Sequence, residues 1–344
     1  MSKHKKNKPA PPAGKDANGR RFATPLEEAL SFYNLPAPEA VLIRHSENMT
    51  YKVVAGGGTF LLRLHKPVEG LHFVGAPGAA MLRARVECEL ALLTALNANG
   101  AVPVQRPVAS ARGSIMASLA DGTPVSMLGW IEGETLDKVE ATPAVLGAAG
   151  FMLAKLHRFL RSYHKTMPGF DYSQAMFPEI ARQMGLAVEG GAITRLQGRM
   201  VWAALGEAHR RMDQLDLENK KLIVHADLNK SNLLLGADGV IVPIDFGLCG
   251  TSHFHMDLGS LCGAFATDAE RLALLKAYER ESGRKANPRE IEPYLALQVL
   301  LFVAGQWRRA KDWEWFGAAM DRWCRDIFVP LAKRVDFLFQ QARG

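Results

Sequence analysis

The sequence predicts an α+β protein in two lobes: an N-terminal lobe built on an antiparallel sheet with one main helix, and a larger helical C-terminal lobe. Three observations carry this. Short runs rich in β-branched and aromatic residues crowd between Val41 and Leu64. Stretches with apolar residues at helical spacing dominate the chain after Pro143. Between two of those helical stretches, Lys221 to Ser252 alternates apolar runs with polar loops and has no helical period.

Taken in order, Thr24-Pro25-Leu26-Glu27 opens the first helix, with an N-cap hydroxyl, proline at the first helical position and glutamate three residues after the cap. Val41 to Arg44, Thr50 to Val54 and Thr59 to Leu64 form a meander of strands. Gly56-Gly57-Gly58 lies directly between two of them and opens no helix, so it is a hairpin turn and not a phosphate loop. Pro67 to Pro77 is a loop. Leu82, Val86, Leu90, Leu93 and Leu96 place a helix over Met81 to Asn97. Val102 to Gly113 and Thr123 to Trp130 are two further expected strands. Helices are expected over 143–161, 174–187, 192–213, 268–282, 288–310 and 313–340, with Thr142-Pro143 and Asn287-Pro288-Arg289-Glu290 repeating the cap-plus-proline signal.

Composition sets bounds. The chain has 344 residues, 48% hydrophobic and 22% charged, which excludes disordered and fibrous classes. The longest apolar stretch, Leu295 to Gly305, is shorter than the roughly 20 residues a membrane-spanning helix needs, so no membrane span is expected. Cys88, Cys249, Cys262 and Cys324 lie far apart with no paired spacing, which argues against a zinc site or disulfide framework and for a reducing, cytoplasmic location. Residues 1–21 carry seven basic residues and one acid, +6 of the formal net charge of +7, leaving +1 for the remaining chain. No basic groove is indicated on the folded body, and no specific nucleic-acid partner. The tail reads as a disordered, solvated leader, with contact to RNA, an acidic partner or anionic lipid as the alternative. Oligomeric state is not encoded in any recognisable pattern.

The chemistry concentrates in the non-helical insert. Leu222-Ile223-Val224 is an apolar strand, followed by the polar loop from His225 to Asn232, a second apolar strand to Leu235, a turn at Asp238-Gly239, and a third strand ending at Asp245. Asp227, Asn232 and Asp245 project from between segments that must be buried. One carboxylate beside a separate Asn/Asp pair suits a magnesium–nucleotide site, because Mg²⁺ takes few protein oxygens and completes its shell with water and phosphate.

His225-x-Asp227 with Asn232, followed by Asp245-Phe246-Gly247, resembles the catalytic and metal-binding segments of the protein-kinase-like superfamily. The short spacing from Asn232 to Asp245 and the form His225-Ala226-Asp227-Leu228 look most like the aminoglycoside phosphotransferase and choline kinase branch. Ser46 to Tyr51 resembles that family's loop over the phosphates. Leu61-Leu62-Arg63-Leu64 resembles its cation-bearing strand, and Glu89 to Leu93 the helix with the cation's acidic partner. Leu128 to Gly133 is similar to the segment joining the lobes, and Leu153 to His157 to the helix after it.

The resemblance implies a protein-kinase-like fold, with residues 22–128 as the nucleotide-binding lobe and 129–344 as the catalytic and substrate-binding lobe. It implies ATP and Mg²⁺ as cofactors and transfer of the γ-phosphate to a hydroxyl of a small-molecule acceptor. By that resemblance Asp227 acts on the acceptor hydroxyl, and Asn232 and Asp245 hold Mg²⁺. Arg63 meets phosphate and is held by Glu89, with Glu87 as the competing partner. Asn48 covers the phosphates, and Leu128, Gly129 and Ile131 receive the adenine. Asp257 resembles a residue that braces the catalytic loop. Two features depart from the pattern: arginine at position 63 where many kinases carry lysine, and Asn229 two residues after Asp227 where protein kinases carry lysine.

Other residues read as structural. His225 is a buried, hydrogen-bonded histidine and not a base. His253 and His255 lack a third ligand and form no metal site. Trp307, Trp313, Trp315 and Trp323 crowd into 17 residues and pack between the last helices, with an apolar substrate wall as the alternative. From Thr251 to Gly344 there are 12 acidic and 14 basic residues, which speaks against a polycationic aminoglycoside as acceptor. A stress-response-type Ser/Thr protein kinase is the alternative function, and a nucleotide-binding pseudokinase scaffold a third.

Overall fold

The computed structural model describes residues 22–45, 48–66, 78–218 and 221–339. The basic tail, Ser46 and Glu47, and the loop expected over Pro67 to Pro77 lie outside the described residues. The described residues divide into two compact units, one drawn from 1–67 and 106–130, the other from 68–105 and 131–344.

The first unit opens with α1 (Pro25–Ser31). Its cap forms as the sequence requires: Thr24 Oγ1 accepts the Glu27 N–H at 3.2 Å, and Glu27 Oε2 accepts the Ala23 N–H at 2.8 Å. The antiparallel sheet consists of β1 (Glu39–His45), β2 (Met49–Ala55), β3 (Gly58–Leu64), β4 (Pro107–Val108), β5 (Ala117–Ser118) and β6 (Pro124–Gly129). The strand order is β1-β2-β3-β6-β4, with β5 also on β6. Ala55 pairs with Gly58 across a two-residue turn in which Gly56 and Gly57 take φ of +55° and +78°, the left-handed pair a tight hairpin needs. The expected strand over Val102 to Gly113 shrinks to β4, because Pro103 and Pro107 bring no N–H to a ladder. Ala29 and Tyr33 pack on Tyr51, Val53, Leu62, Leu64, Val125 and Met127 to form this unit's core.

The second unit is mainly helical. It contains α2 (Ala79–Asn99), β7 (Glu134–Thr135), α3 (Pro143–Ser162), α4 (Phe177–Glu189) and α5 (Arg195–Glu218). Four short strands follow: β8 (Leu222–Val224), β9 (Leu233–Leu235), β10 (Ile241–Pro243) and β11 (Gly250–Ser252). The chain then forms α6 (His255–Gly263), α7 (Asp268–Ser282), α8 (Pro288–Ala310), α9 (Phe316–Trp323) and α10 (Val329–Ala332). Helix α3 lies so close to α7 that a Cβ at Gly150 would sit 2.3 Å from the Leu274 carbonyl oxygen, so only glycine fits there.

Two sequence expectations change here. The single helix expected over 313–340 is broken: Val329 N–H reaches back five residues to Cys324 O in a π turn, and Pro330, without an N–H, follows at once. Helix α6 was not expected. Seven of its nine residues are buried, which erases the polar–apolar period that marks a surface helix. Among the described residues no helix is long and apolar enough to cross a membrane.

Candidate active site

Within the second unit, the insert folds as two strand pairs that present two loops. The first pair is a hairpin: β9 and β10 are antiparallel with Leu233 opposite Pro243, and the pairing extends one step as Ile244 N–H donates to Asn232 O at 2.9 Å. That register brings Asn232, at the entry of one strand, beside Asp245, at the exit of the other. The second pair joins β8 to β11, with Val224 opposite Gly250. Loop 225–232 therefore leaves β8, and segment 245–248 leads into β11.

Asp227 is held by its own loop. Asn229 Nδ2 donates to Asp227 Oδ1 at 2.9 Å, and Asn232 Nδ2 donates to Asp227 Oδ2 at 2.7 Å and to its carbonyl oxygen at 2.9 Å. Both carboxylate oxygens thus receive amide hydrogens, which fixes the rotamer. The departure noted at Asn229 is therefore a contact to Asp227. Asn232 commits its amide hydrogens to Asp227, so its carbonyl oxygen is the atom left to coordinate.

The backbone beneath is anchored by Asp257 on α6. It is fully buried and accepts the His225 N–H at 3.0 Å and the Ala226 N–H at 2.7 Å. His157 Nε2 donates to the same carboxylate at 3.1 Å, and His157 Nδ1 meets the Tyr278 hydroxyl at 3.0 Å. Gln298 Nε2, on α8, donates to Ala226 O at 3.0 Å. Ala226 has φ +65°, and Asp245 has φ +62°. A non-glycine residue in this region costs about 1–2 kcal/mol, and such residues persist where surrounding bonds over-determine them, often at functional sites. Both loops of the insert carry one.

His225 is fully buried, accepts the Asp227 N–H at Nδ1 (3.3 Å) and donates from Nε2 to Ile244 O (3.0 Å). Burial lowers its pKa despite the nearby Asp257 and Asp245, which matches a neutral, structural imidazole. Its ring lies 4.5 Å from that of Phe246.

Segment 245–248 is tied down by residues the sequence reading passed over. Arg85 Nη2, on α2, donates to Gly247 O at 2.6 Å with its guanidinium 3.5 Å from the Phe170 ring centroid. The Tyr172 hydroxyl donates to Leu248 O at 2.6 Å. The space that a side chain at Gly247 would enter is bordered by Asp245 Oδ1 at 3.5 Å and Glu89 Oε2 at 4.0 Å. Glu89 is 5% exposed, whereas Glu87 is exposed and pairs with Arg83 at 3.1 Å. Of the two glutamates on α2, the one turned toward this segment is Glu89. The carboxylate of Asp245 and the amide oxygen of Asn232 are hard oxygen donors, a set that fits Mg²⁺.

Of the remaining expected residues, all but Ile131 lie in the first unit. Arg63 is buried on β3, paired with Thr50 on β2 and Ser126 on β6. Asn48 Oδ1 accepts the Lys66 N–H at 3.2 Å, linking the start of β2 to the end of β3. Leu128 is buried on β6, and the Gly129 N–H donates to Arg106 O at 2.8 Å. Ile131 follows, as the first residue of the second unit's longer stretch. The packing expected of the tryptophans holds in part: Trp307 is buried and its Nε1 donates to Gln183 Oε1 at 3.0 Å, whereas Trp313, Trp315 and Trp323 gather on Phe302 of α8 with Trp313 and Trp315 exposed.

Solved structures share this fold. An amicoumacin kinase in complex with AMP-PNP and Ca²⁺ aligns at a TM-score of 0.68 with 17% identity, over 92% of this chain and 94% of that one. A microcompartment-associated aminopropanol kinase aligns at 0.68 with 20% identity, over 90% and 98%. A choline kinase from Streptococcus pneumoniae aligns at 0.57 with 16% identity, over 89% and 97%. No curated protein sequence matches the chain. The model of the phosphotransferase enzyme family known as APH matches residues 39–294, about three quarters of the chain, and the protein belongs to that family.

Proposed function

We propose that the protein is an ATP- and Mg²⁺-dependent kinase that transfers the γ-phosphoryl group to a hydroxyl of a small-molecule acceptor. The observation that carries this is the arrangement of the insert. Asp227 is oriented through both carboxylate oxygens, and the β9–β10 register sets Asn232 beside Asp245. Phosphoryl transfer asks for little covalent chemistry from a protein and much positioning, which such a braced loop supplies.

Asn232 and Asp245 would hold Mg²⁺, which when bound neutralises charge on the phosphates. Asp227 orients the acceptor hydroxyl and takes its proton as the oxygen attacks the γ-phosphorus and the bond to ADP breaks. The amides of Asn229 and Asn232 keep its carboxylate aimed. We assign Arg63 and Asn48 to the phosphates, Glu89 to the support of Arg63, and Leu128, Gly129 and Ile131 to the adenine. Residues 22–128 then form the nucleotide-binding lobe, with Gly129 and Ile131 contributed from the start of 129–344, and the acceptor belongs to 129–344, in a cytoplasmic enzyme.

The test is a panel of hydroxylated metabolites incubated with γ-labelled ATP and Mg²⁺. Label should enter a metabolite, and the Asp227→Asn variant should lose that transfer while still binding Mg·ATP. Label entering only protein would replace this assignment with the protein kinase, and nucleotide binding without any transfer or hydrolysis would replace it with the scaffold.

A further inference from the structure

Two cavities of the second unit are rich in arginine, and they are built differently. One, of about 580 Å³, is lined by Arg210, Arg211, Arg289 and Arg334. Each of these has a carboxylate: Glu207 for Arg210, Arg211 and Arg334, and Asp336 for Arg289. That cavity is electrostatically closed.

The other, of about 630 Å³, lies where the end of α3 and the segment after it meet β8, β11 and the turn after α7. Its lining includes Arg161, His164, Lys165, Lys221 and Arg284, and no acidic residue among the described lining residues. Arg161 and Arg284 have no carboxylate partner among the described residues. The neighbouring cations of Arg161 are Arg284 and Arg158, and Arg284 stacks over the Phe254 ring at 5.6 Å. Burial and then repulsion from Arg284 and Arg158 lower the Arg161 pKa. Nearby, Arg158 has its own partner in Glu281 at 2.8 Å. Arg161 and Arg284, two like charges on one concave surface with no carboxylate partner among the described residues, raise the potential there and select an anion carrying more than one negative charge. The volume is that of a small-molecule site.

We propose that this cavity binds a small molecule carrying two or more phosphate groups, at a site separate from Asp227, Asn232 and Asp245. Arg161 and Arg284 present planar guanidinium forks to phosphate oxygens, and Lys165 adds a point charge. Its floor is made by Ile223 of β8 and Thr251 of β11, the strands that carry the catalytic loop and the Asp245 segment. A ligand seated there rests on the framework of the catalytic residues without touching them.

The experiment is calorimetric titration of the full chain with sodium pyrophosphate, without Mg²⁺ or nucleotide, at low salt. One saturable site is expected, weakened by added NaCl and weakened about tenfold or more by Arg161→Gln and by Arg284→Gln. Arg325→Gln, which removes an exposed arginine paired with Asp326, should leave the affinity unchanged. Arg284 is exposed, so its substitution tests the site without disturbing packing. Absence of saturable binding, full affinity in both the Arg161 and Arg284 variants, or an equal loss in the Arg325 variant would overturn the proposal. Binding of heparin but not of pyrophosphate would also overturn it and assign the surface to a macromolecular polyanion.

Discussion

Asp257 on α6 and Glu207 on α5 are both buried carboxylates that collect at least three donors, but the donors differ in kind. Asp257 takes two backbone N–H groups from the turn at His225 and Ala226, and one imidazole nitrogen from His157. Glu207 takes guanidinium groups from Arg210 and Arg211 on its own helix and from Arg334 near the C-terminal end of the described chain. Backbone donors have no rotamers, so Asp257 determines where loop 225–232 sits. Arginine donors are flexible and charged, so Glu207 closes the fold around α5 and holds no turn in shape. The first carboxylate serves geometry and the second serves cohesion.

The largest expected effect tests what the Asp257 anchor is for. If it exists to place Asp227, then Asp227→Asn should lower turnover by about 10²–10⁴, the worth of a positioned acid–base group, with Mg·ATP affinity little changed. Phosphoryl transfer or basal ATP hydrolysis measures it, and wild-type turnover would leave the anchor without a catalytic purpose. Next, Asp257→Asn keeps the shape but turns an NH₂ group toward a buried N–H. We expect about 1–3 kcal/mol of lost stability and turnover reduced by about 10–100-fold through misplacement of the loop. Thermal unfolding beside kinetics separates the two losses.

Glu207→Gln should show the opposite division: about 1–2 kcal/mol of stability lost and turnover unchanged. The hydrogen bond from Arg210, ahead of those from Arg211, pulls the Glu207 carboxyl from 4.5 down to about 2. A carboxyl depressed on folding contributes fully above its unfolded pKa. That contribution fades as pH falls from about 4.5 toward about 2, and Glu207→Gln should flatten stability over that window. A slowed enzyme with normal Tm would break the comparison. The smallest effect belongs to the open cavity. With no carboxylate left behind, Arg161→Gln should change stability by no more than about 0.5 kcal/mol, measured by denaturant unfolding.

Much of the fold was readable where the governing interactions are local. The Thr24 cap, the Gly56–Gly57 hairpin and the bounds of α7 and α8 follow from contacts within a few residues. In the insert, the order of strand, polar loop, strand, turn and strand was also readable, because each apolar run is short and bounded by polar or glycine residues. Where the signal failed, burial on all sides or proline was responsible. Helix α6 has no exposed face to betray its period, and Pro103, Pro107 and Pro330 interrupt stretches whose apolar pattern continues across them.

By itself the sequence determined the chemistry present in the insert: which residues carry carboxylates and amides, and that they lie between segments bound for the interior. Only the tertiary structure decided what holds them. Strand β8 pairs with β11 and not with the nearer β9. Arg85 reaches Gly247 across 162 positions, and Gln298 reaches Ala226 across 72. Helical spacing alone does not say which of Glu87 and Glu89 is buried, and the direction in which α2 packs buries Glu89 and leaves Glu87 exposed. Periodicity and capping act over one or two helical turns and are written in neighbouring residues. A hydrogen bond between distant segments depends on how the intervening helices pack, and no short window of sequence contains that information.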